Sequence, residues 1–181
     1  MKKPKKKTGL LRHTLPRPKG VIECDVVMDV GAGIRPFNWY KPKHHVCIEP
    51  YEPYCELLEA AQFEVYQMTA VEALDLLMFD RIDAVYLLDV IEHMEKEPAL
   101  HVLEQAKAMA RVQVVIYTPW GFMEQTKDGW GLGGHSWQTH RSGWLPEEFT
   151  AADGWTTQSF RPDRHPHPQG LYAIWDNTTQ N

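Results

Sequence analysis

The chain has 181 residues and a mass of 20.9 kDa, with 43% hydrophobic and 24% charged residues. This length and composition are typical of one globular domain and exclude a disordered or fibrous protein. Residues 1–20 hold eight of the 19 Lys and Arg residues and no acid, so the remainder carries 11 basic and 24 acidic residues, a net charge of −13. A body with that charge repels phosphate backbones, which disfavours nucleic acid as a partner except through residues 1–20.

Cysteine content and hydropathy indicate the cellular setting. Cys24, Cys47 and Cys55 form no Cys-x-x-Cys pair and cannot all pair with one another. This pattern disfavours a disulfide framework and a structural zinc site, and it is typical of a reducing compartment. No apolar run approaches the ~20 residues that a membrane-spanning helix needs. We therefore expect a cytoplasmic protein without a membrane span.

Short apolar runs alternate with amphipathic stretches after residue 20. We interpret residues 1–20 as a basic flexible N-terminal tail and residues 21–181 as the domain. The alternation predicts an α/β domain with a largely parallel sheet that is covered on both faces. The predicted strands are 26–28, 46–48, 63–67, 84–88, 112–117, 156–160 and 171–175, and the predicted helices are 54–61, 71–77, 98–110 and 146–152. Residues 119–145, rich in Gly, Trp and His, form a long loop of the kind that is usually functional.

A glycine loop follows the first predicted strand, with the sequence Asp29-Val30-Gly31-Ala32-Gly33. Glycines there let the backbone turn sharply and approach a ligand at the carboxyl end of the strand, so we expect an added side chain at Gly31 to enter the ligand site. Dinucleotide sites have a third glycine that lets a helix begin beneath the pyrophosphate. Pro36 occupies that position here. The sequence therefore disfavours a nicotinamide-dependent oxidoreductase and favours a cofactor without phosphates.

An acidic residue follows the second predicted strand. Glu49 lies 16 residues beyond Gly33, directly after Val46-Cys47-Ile48. A carboxylate at the end of this strand can accept two hydrogen bonds from a ribose diol. The glycine loop and the acid, in this order, favour an adenosine-binding site.

These motifs resemble those of the class I S-adenosylmethionine-dependent methyltransferases, from about Cys24 to Trp175. The resemblance implies a three-layer Rossmann-like fold, with a seven-stranded, mostly parallel sheet that ends in an antiparallel hairpin. It implies S-adenosylmethionine as cofactor, with Asp29 holding the amino end of its methionine part and Glu49 holding the ribose. The implied cofactor-binding residues are Asp29, Gly31, Ala32, Gly33, Glu49, Ala70, Val71 and Asp89.

A bacterial subgroup of this family, of unassigned substrate, is the nearest resemblance. The chain shares with it Arg35-Pro36 after the glycine loop, Thr-Pro-x-Gly-Phe at 118–122 and Gln-x-His-x-Ser-Gly-Trp at 138–144. Because the domain is close to minimal, we predict methyl transfer to a small-molecule or glycan-type acceptor, with O-methylation favoured. A hydroxyl acceptor needs a general base, and His140 and Asp89 are the candidate catalytic residues.

A metal site is a further reading of the residues after the fourth strand. Asp89, Glu92 and His93 are spaced to share one face of a helical turn, and the long loop could add His140. Two carboxylates and two imidazoles suit a divalent cation. A similar motif binds metal in some small-RNA 2′-O-methyltransferases, yet it is widespread in relatives without metal. We therefore predict no metal and keep these four residues as candidate ligands only.

Other functions stay open at this point. A non-catalytic binding module would retain the same cofactor fold, and an RNA methyltransferase would use the basic tail. The long loop contains Trp120, Trp130, Trp137 and Trp144, which either form an aromatic wall for a substrate or fix the loop to the core. The sequence leaves the oligomeric state undetermined.

Overall fold

A computed structural model describes residues 9–160 and 169–177. Within them, seven strands form one sheet in the order β3-β2-β1-β4-β5-β7-β6. The strands are β1 (Val26–Val30), β2 (His44–Ile48), β3 (Glu64–Tyr66), β4 (Ala84–Leu88), β5 (Gln113–Pro119), β6 (Trp155–Phe160) and β7 (Gly170–Asp176). The helices are α1 (Glu52–Ala60), α2 (Ala70–Leu76), α3 (Lys96–Met109) and α4 (His135–Gln138). The first five strands are parallel, and β7 runs antiparallel to β5 and β6, which confirms the predicted fold class.

Alternate residues of the central strands face two different layers, as the period of a β-strand requires. Met28, Val85 and Val114 pack with α2 and α3 on one face of the sheet. Val27 and Tyr86 pack on the other face with the segment that follows the glycine loop. Every residue of β4 and β5 is buried, as expected for strands covered on both sides. Because β1, β2 and β4 run parallel, their carboxyl ends lie along one edge of the sheet.

Two predicted elements differ from the structure. The predicted helix at 146–152 is replaced by two short 3-10 turns, Pro146–Glu148 and Ala151–Asp153. The second turn ends at Gly154, whose φ of +83° lies in the left-handed region. The predicted irregular loop at 119–145 contains α4, and its first residue belongs to β5. Residues 161–168 and 178–181 of the predicted domain lie outside the described residues.

Residues 9–20 pack against the domain, which corrects the prediction of a flexible tail over this part of 1–20. The Leu11 amide donates to the Ile34 carbonyl at 2.7 Å, and the Trp39 indole Nε1 donates to the Leu15 carbonyl at 2.8 Å. The Tyr172 hydroxyl donates to the Pro16 carbonyl at 2.7 Å. These bonds come from residues distant in sequence, so composition alone does not reveal them. Residues 1–8 lie outside the described part of the chain.

Two smaller expectations concern membrane helices and cysteines. Across residues 9–160 and 169–177, no helix is both long and apolar enough to cross a membrane. Cys24, Cys47 and Cys55 are all buried and free.

Candidate active site

A cavity of about 550 Å³ lies at the edge where β1, β2 and β4 end. This volume falls within the range of small-molecule binding sites. The predicted cofactor residues that line it are Gly31, Ala32, Gly33, Glu49, Ala70, Val71 and Asp89, and the predicted catalytic residue His140 lines it as well. The structure therefore brings together all the predicted site residues of these two groups except Asp29.

The two glycines of the loop adopt backbone conformations that other residues rarely adopt. Gly31 has a φ of +66° and Gly33 a φ of +56°. A Cβ at Gly31 would lie 2.6 Å from Val90 Cγ2, and a Cβ at Gly33 would lie 2.4 Å from Trp130 Cη2. Val90 also lines the cavity, so the expectation that a side chain at Gly31 enters the ligand site stays a prediction. A substitution there would collide with Val90 and strain the loop.

Asp29 holds the segment that follows the glycine loop and does not line the cavity. Its side chain is 2% exposed, and Oδ2 accepts hydrogen bonds from the Phe37 amide at 2.9 Å and from His45 Nε2 at 3.2 Å. The acid thus fixes the course of the chain after the loop. The role of Asp29 in holding the amino end of the cofactor stays a prediction.

Glu49 links the glycine loop to the start of α1. Its Oε2 accepts from the Gly33 amide at 2.9 Å, and Oε1 accepts from the Tyr51 amide at 3.0 Å. Burial raises the pKa of Glu49 to about 7, the Asp29 charge acts in the same direction, and the two amides act against it. A carboxylate has about four acceptor positions, so two remain for hydroxyl groups of a ligand.

The first turn of α2 forms an apolar wall of the cavity. Thr69 caps this helix in a capping box, in which the Glu72 amide donates to Thr69 Oγ1 at 3.2 Å and the Thr69 amide donates to Glu72 Oε2 at 2.9 Å. Both polar side chains are therefore used by the helix terminus. Ala70 and Val71 follow the cap and line the cavity, which suits contact with a flat apolar ring.

Asp89 occupies a strained position directly after β4. Its φ of +59° is left-handed, a conformation that Asp tolerates better than most residues other than glycine. Burial raises the pKa of Asp89 to about 6, while the guanidinium of Arg35 acts to lower it. Such local strain is typical of functional sites.

The segment after Thr139 lies against a short turn, Ile91–His93, which follows Asp89. The amides of Arg141 and Ser142 both donate to the Glu92 carbonyl, at 2.7 and 3.1 Å. These bonds place the His140 ring against the His93 ring, with centroids 4.8 Å apart. Two histidines distant in sequence thus become neighbours at the cavity wall.

Both imidazoles are oriented by backbone carbonyls. His140 Nδ1 donates to the Met123 carbonyl at 2.8 Å, and His93 Nδ1 donates to the Thr139 carbonyl at 3.3 Å. A carbonyl only accepts, so Nδ1 carries the proton in each ring and Nε2 is free to accept one. Burial lowers the pKa of His140 and lowers that of His93 to about 4. Both rings are therefore neutral at pH 7.

Glu92 is the third member of this cluster. It is 1% exposed, and neither carboxyl oxygen has a hydrogen-bond partner among the described residues. Burial, with the Asp89 charge, raises the pKa of Glu92 well above its ordinary value. Ligand atoms of Glu92, His93 and His140 lie within 4.8 Å of one another, a donor set that suits a divalent transition metal. Asp89, the fourth candidate ligand, is outside this group, and the absence of metal stays a prediction.

The four tryptophans of the long loop have different roles. Trp130 lies against Gly33, packs edge-on to Tyr54 at 5.0 Å and lines the cavity, as does Trp137. Trp144 is fully buried in the core, and Trp120 is 38% exposed and does not line the cavity. The aromatic wall is therefore formed by Trp130 and Trp137, while Trp144 fixes the loop to the core.

Asp128 organises the part of the loop that carries Trp130. Its carboxylate accepts from the amides of Trp130 and Leu132, each at 2.7 Å, and from Gly134 at 3.2 Å. The Tyr51 hydroxyl donates to the Leu132 carbonyl at 2.9 Å, which ties this turn to the start of α1. This turn is thus held beside the glycine loop, where Trp130 lies against Gly33.

Several lining residues were not singled out from the sequence. His13, Arg35, Tyr54, Met123 and Gln125 all line the cavity. The Arg35-Pro36 pair was the available signal for Arg35, since it follows the glycine loop directly. His13 had no such signal, because its neighbours in sequence are typical of a tail.

Solved structures with the same fold are methyltransferases. The chain is similar to an S-adenosylmethionine-dependent methyltransferase from Archaeoglobus fulgidus, with a TM-score of 0.59 and 16% identity over 85% of this chain and 86% of that one. It is similar to the N-methyltransferase NodS from Bradyrhizobium japonicum WM9, with a TM-score of 0.58 and 10% identity over 84% and 85% of the two chains. It is also similar to magnesium protoporphyrin IX methyltransferase from Synechocystis PCC 6803 with bound S-adenosylmethionine, with a TM-score of 0.57 and 12% identity over 83% and 69%.

Sequence comparison adds no nearer relative. No family model and no curated protein matches the chain. At identities of 16% and below, the structural likeness shows a shared fold, which is the fold that the resemblance implied.

Proposed function

We propose that this chain, whose fold is that of the class I S-adenosylmethionine-dependent methyltransferases, binds S-adenosylmethionine and transfers its methyl group to a small-molecule or glycan-type acceptor. The observation that carries the proposal is the single cavity lined by Gly31, Gly33, Glu49, Val71 and Asp89. These residues come from the ends of four successive strand units, at the edge where ligands bind in open α/β sheets.

The residues of the cavity fit each part of the cofactor. Gly31 and Gly33 line the cavity with no side chains of their own, Glu49 has acceptor positions for the ribose hydroxyls, and Ala70 and Val71 offer an apolar surface to adenine. The cofactor supplies an activated methyl group on a sulfonium. The chain supplies the orientation of that group toward an acceptor, which contributes up to ~7–11 kcal/mol in well-aligned reactions.

The His140 imidazole supports O-methylation. It is neutral and lines the cavity, and its Nδ1–H bond to the Met123 carbonyl leaves Nε2 unprotonated. This arrangement is suited to removing a proton from an acceptor hydroxyl as the methyl group is transferred. Trp137, which is 41% exposed and lines the cavity, offers an aromatic face to a sugar-like acceptor.

A dinucleotide cofactor fits the site less well. In the fully described stretch 31–43 no helix follows the glycine loop, so no helix N-terminus lies at this loop for a pyrophosphate. An RNA acceptor would depend on the basic residues at the N-terminus. Removing residues 1–8 alone tests that alternative, because residues 9–20 belong to the fold. Unchanged RNA affinity after this deletion would eliminate it.

Replacing Glu49 by alanine is expected to weaken S-adenosylhomocysteine binding by roughly 10- to 100-fold. The reason is the loss of hydrogen bonding from the ribose to a charged acceptor, worth about 1.5–3 kcal/mol in total. Isothermal titration calorimetry measures the change. Glu52→Ala is the matched control, since Glu52 is exposed on α1 and does not line the cavity. Equal affinities in Glu49→Ala and wild type would contradict the role assigned to Glu49.

The same titration has a pH signature. Because the pKa of Glu49 is raised to about 7, its carboxyl group is largely protonated below that pH and becomes a full acceptor above it. We therefore expect wild-type affinity to rise as the pH increases through about 7. Glu49→Ala should lack this part of the pH dependence, so the difference between the two proteins separates Glu49 from other titrating groups such as Asp89.

A further inference from the structure

The segment before β1 forms one wall of the cavity. Leu10 packs against the cluster of Ala32 and Leu58, and the Leu11 amide is bonded to Ile34, directly after the glycine loop. Beyond it, the Leu15 carbonyl accepts from Trp39. The residues between these two anchors are therefore held beside the glycine loop. Three consecutive residues of this stretch, 13–15, line the cavity.

His13 is the buried polar side chain of this wall. It is 9% exposed and packs edge-on to Trp39, with ring centroids 5.6 Å apart. Its Nδ1 is buried and has no hydrogen-bond partner among the described residues. A buried polar atom without a partner lowers stability, so a ligand that supplies the partner recovers free energy on binding. Burial lowers the pKa of His13 while the Leu15 backbone acts to raise it, so the ring is neutral at pH 7, and the tautomer with its proton on Nδ1 offers an N–H donor there.

Arg35 is an unpaired cation in the same wall. It lines the cavity, and its guanidinium lies 5.2 Å from the centre of the Trp130 ring. Across residues 9–160 and 169–177, no carboxylate lies within salt-bridge distance of Arg35. His13 and Asp89 line the same cavity, and the charge of Arg35 acts to lower the pKa of both, although burial raises that of Asp89 overall. A guanidinium without an acid partner is suited to bind a carboxylate in a two-bond geometry.

These observations concern the part of the cavity where the methionine part of the cofactor would lie. Gly31 is at the turn after β1, and Oδ2 of Asp29, the acid first expected at this end, already accepts from Phe37 and His45. We propose that Arg35 and His13 bind the carboxylate of the methionine part, so that residues 9–20 belong to the cofactor site. Arg35 provides the charge, and His13 donates a hydrogen bond from its ring. This inference rests on the proposed function.

Two ligands that differ in the methionine part test whether Arg35 and His13 bind its carboxylate. S-adenosylhomocysteine carries the carboxylate, whereas 5′-deoxy-5′-methylthioadenosine keeps the adenosine and lacks the amino-acid end. Arg35→Ala is expected to weaken S-adenosylhomocysteine binding by roughly 10- to 100-fold, the range for a charge-assisted bond, and to change methylthioadenosine binding by less than about threefold. Arg12→Ala is the matched control, because Arg12 is on the same segment but is exposed and outside the cavity lining. It should bind both ligands as wild type does.

Measuring thermal stability and ligand affinity together separates ligand binding by His13 from a purely structural role. His13→Phe keeps the aromatic contact with Trp39 and removes the unpartnered nitrogen, so we expect the thermal midpoint to stay the same or rise. We expect S-adenosylhomocysteine affinity to fall by roughly three- to tenfold, with methylthioadenosine affinity unchanged. His13→Asn, which keeps a polar group near the position of Nδ1, should recover part of the loss.

Failure of this inference is distinguishable from failure of the proposed function. If wild type binds S-adenosylhomocysteine and Arg35→Ala weakens both ligands equally or neither, the carboxylate assignment is overturned. If His13→Phe lowers the thermal midpoint and His13→Asn restores stability without affecting affinity, His13 is structural and its part of the assignment is overturned. If wild type binds neither ligand, it is the cofactor proposal itself that fails.

Discussion

Replacing His140 by alanine is expected to slow methyl transfer by about 10²- to 10⁴-fold, the contribution typical of a general base. The affinity for S-adenosylhomocysteine should stay within about twofold of wild type, because the proposed cofactor contacts lie elsewhere in the cavity and His140 would act on the acceptor. Initial rates with methyl-labelled S-adenosylmethionine, on an acceptor that a screen of hydroxylated small molecules and glycans identifies, measure the first effect. Calorimetry measures the second.

Two controls separate a base from a metal ligand. His101→Ala changes an exposed histidine that is bonded to Asp75 on the outside of the domain, and it should retain the wild-type rate. A chelator should also leave the wild-type rate unchanged. A rate that is lost on chelation and restored by a divalent metal would contradict the base assignment and favour a metal held by Glu92, His93 and His140. An unchanged rate in His140→Ala would remove His140 from the mechanism.

Replacing Trp144 by alanine is expected to lower the free energy of unfolding by about 3–5 kcal/mol, the cost of truncating a large buried aromatic residue. The ring is fully buried, lies 5.7 Å from the Phe149 ring and stands beneath Lys96 Nζ at 3.6 Å. Its Nε1 donates to Ser142 Oγ at 3.0 Å, a bond that is lost at the same time. Urea unfolding followed by circular dichroism measures the change.

Trp120→Ala is the matched comparison within the same loop. Trp120 is 38% exposed, so its truncation should cost much less, about 1 kcal/mol or below. If the two variants lose the same stability, Trp144 does not fix the loop to the core as described. If Trp144→Ala remains folded, its methyl transfer should also fall, because Ser142 and its neighbours hold His140 beside His93.

The alternation of apolar runs and amphipathic stretches was sufficient to predict a largely parallel sheet covered on both faces, while the antiparallel hairpin at its end was implied by the family resemblance. Runs such as Ala84–Leu88 are apolar without alternation, which is typical of a central parallel strand. The exact ends of elements depend on hydrogen bonds that the pattern does not contain. Thus β2 begins at His44 because its amide bonds to the Asp25 carbonyl, and the predicted helix after Pro146 is interrupted by the cap at Thr150.

The candidate site was predictable where it depends on local motifs. Gly31, Gly33 and Glu49 line the cavity as expected, because each follows directly from the end of a strand. Asp29 lies outside the cavity lining and accepts from the amide of Phe37, a contact that the motif does not reveal. His13 was missed, because its burial depends on contacts with Trp39 and the glycine loop rather than on the residues beside it. The proximity of His93 and His140 likewise depends on a tertiary contact of the long loop.

The most direct test of the proposed function is a calorimetric titration of the full chain with S-adenosylmethionine, S-adenosylhomocysteine and NAD in parallel. We predict binding of the two sulfur compounds at micromolar concentrations and no binding of NAD, because the cavity has a ribose acceptor in Glu49 but no helix begins directly after the glycine loop, where a pyrophosphate would bind. Binding of NAD alone, or of none of the three, would contradict the proposal that this cavity is the cofactor site of a methyltransferase.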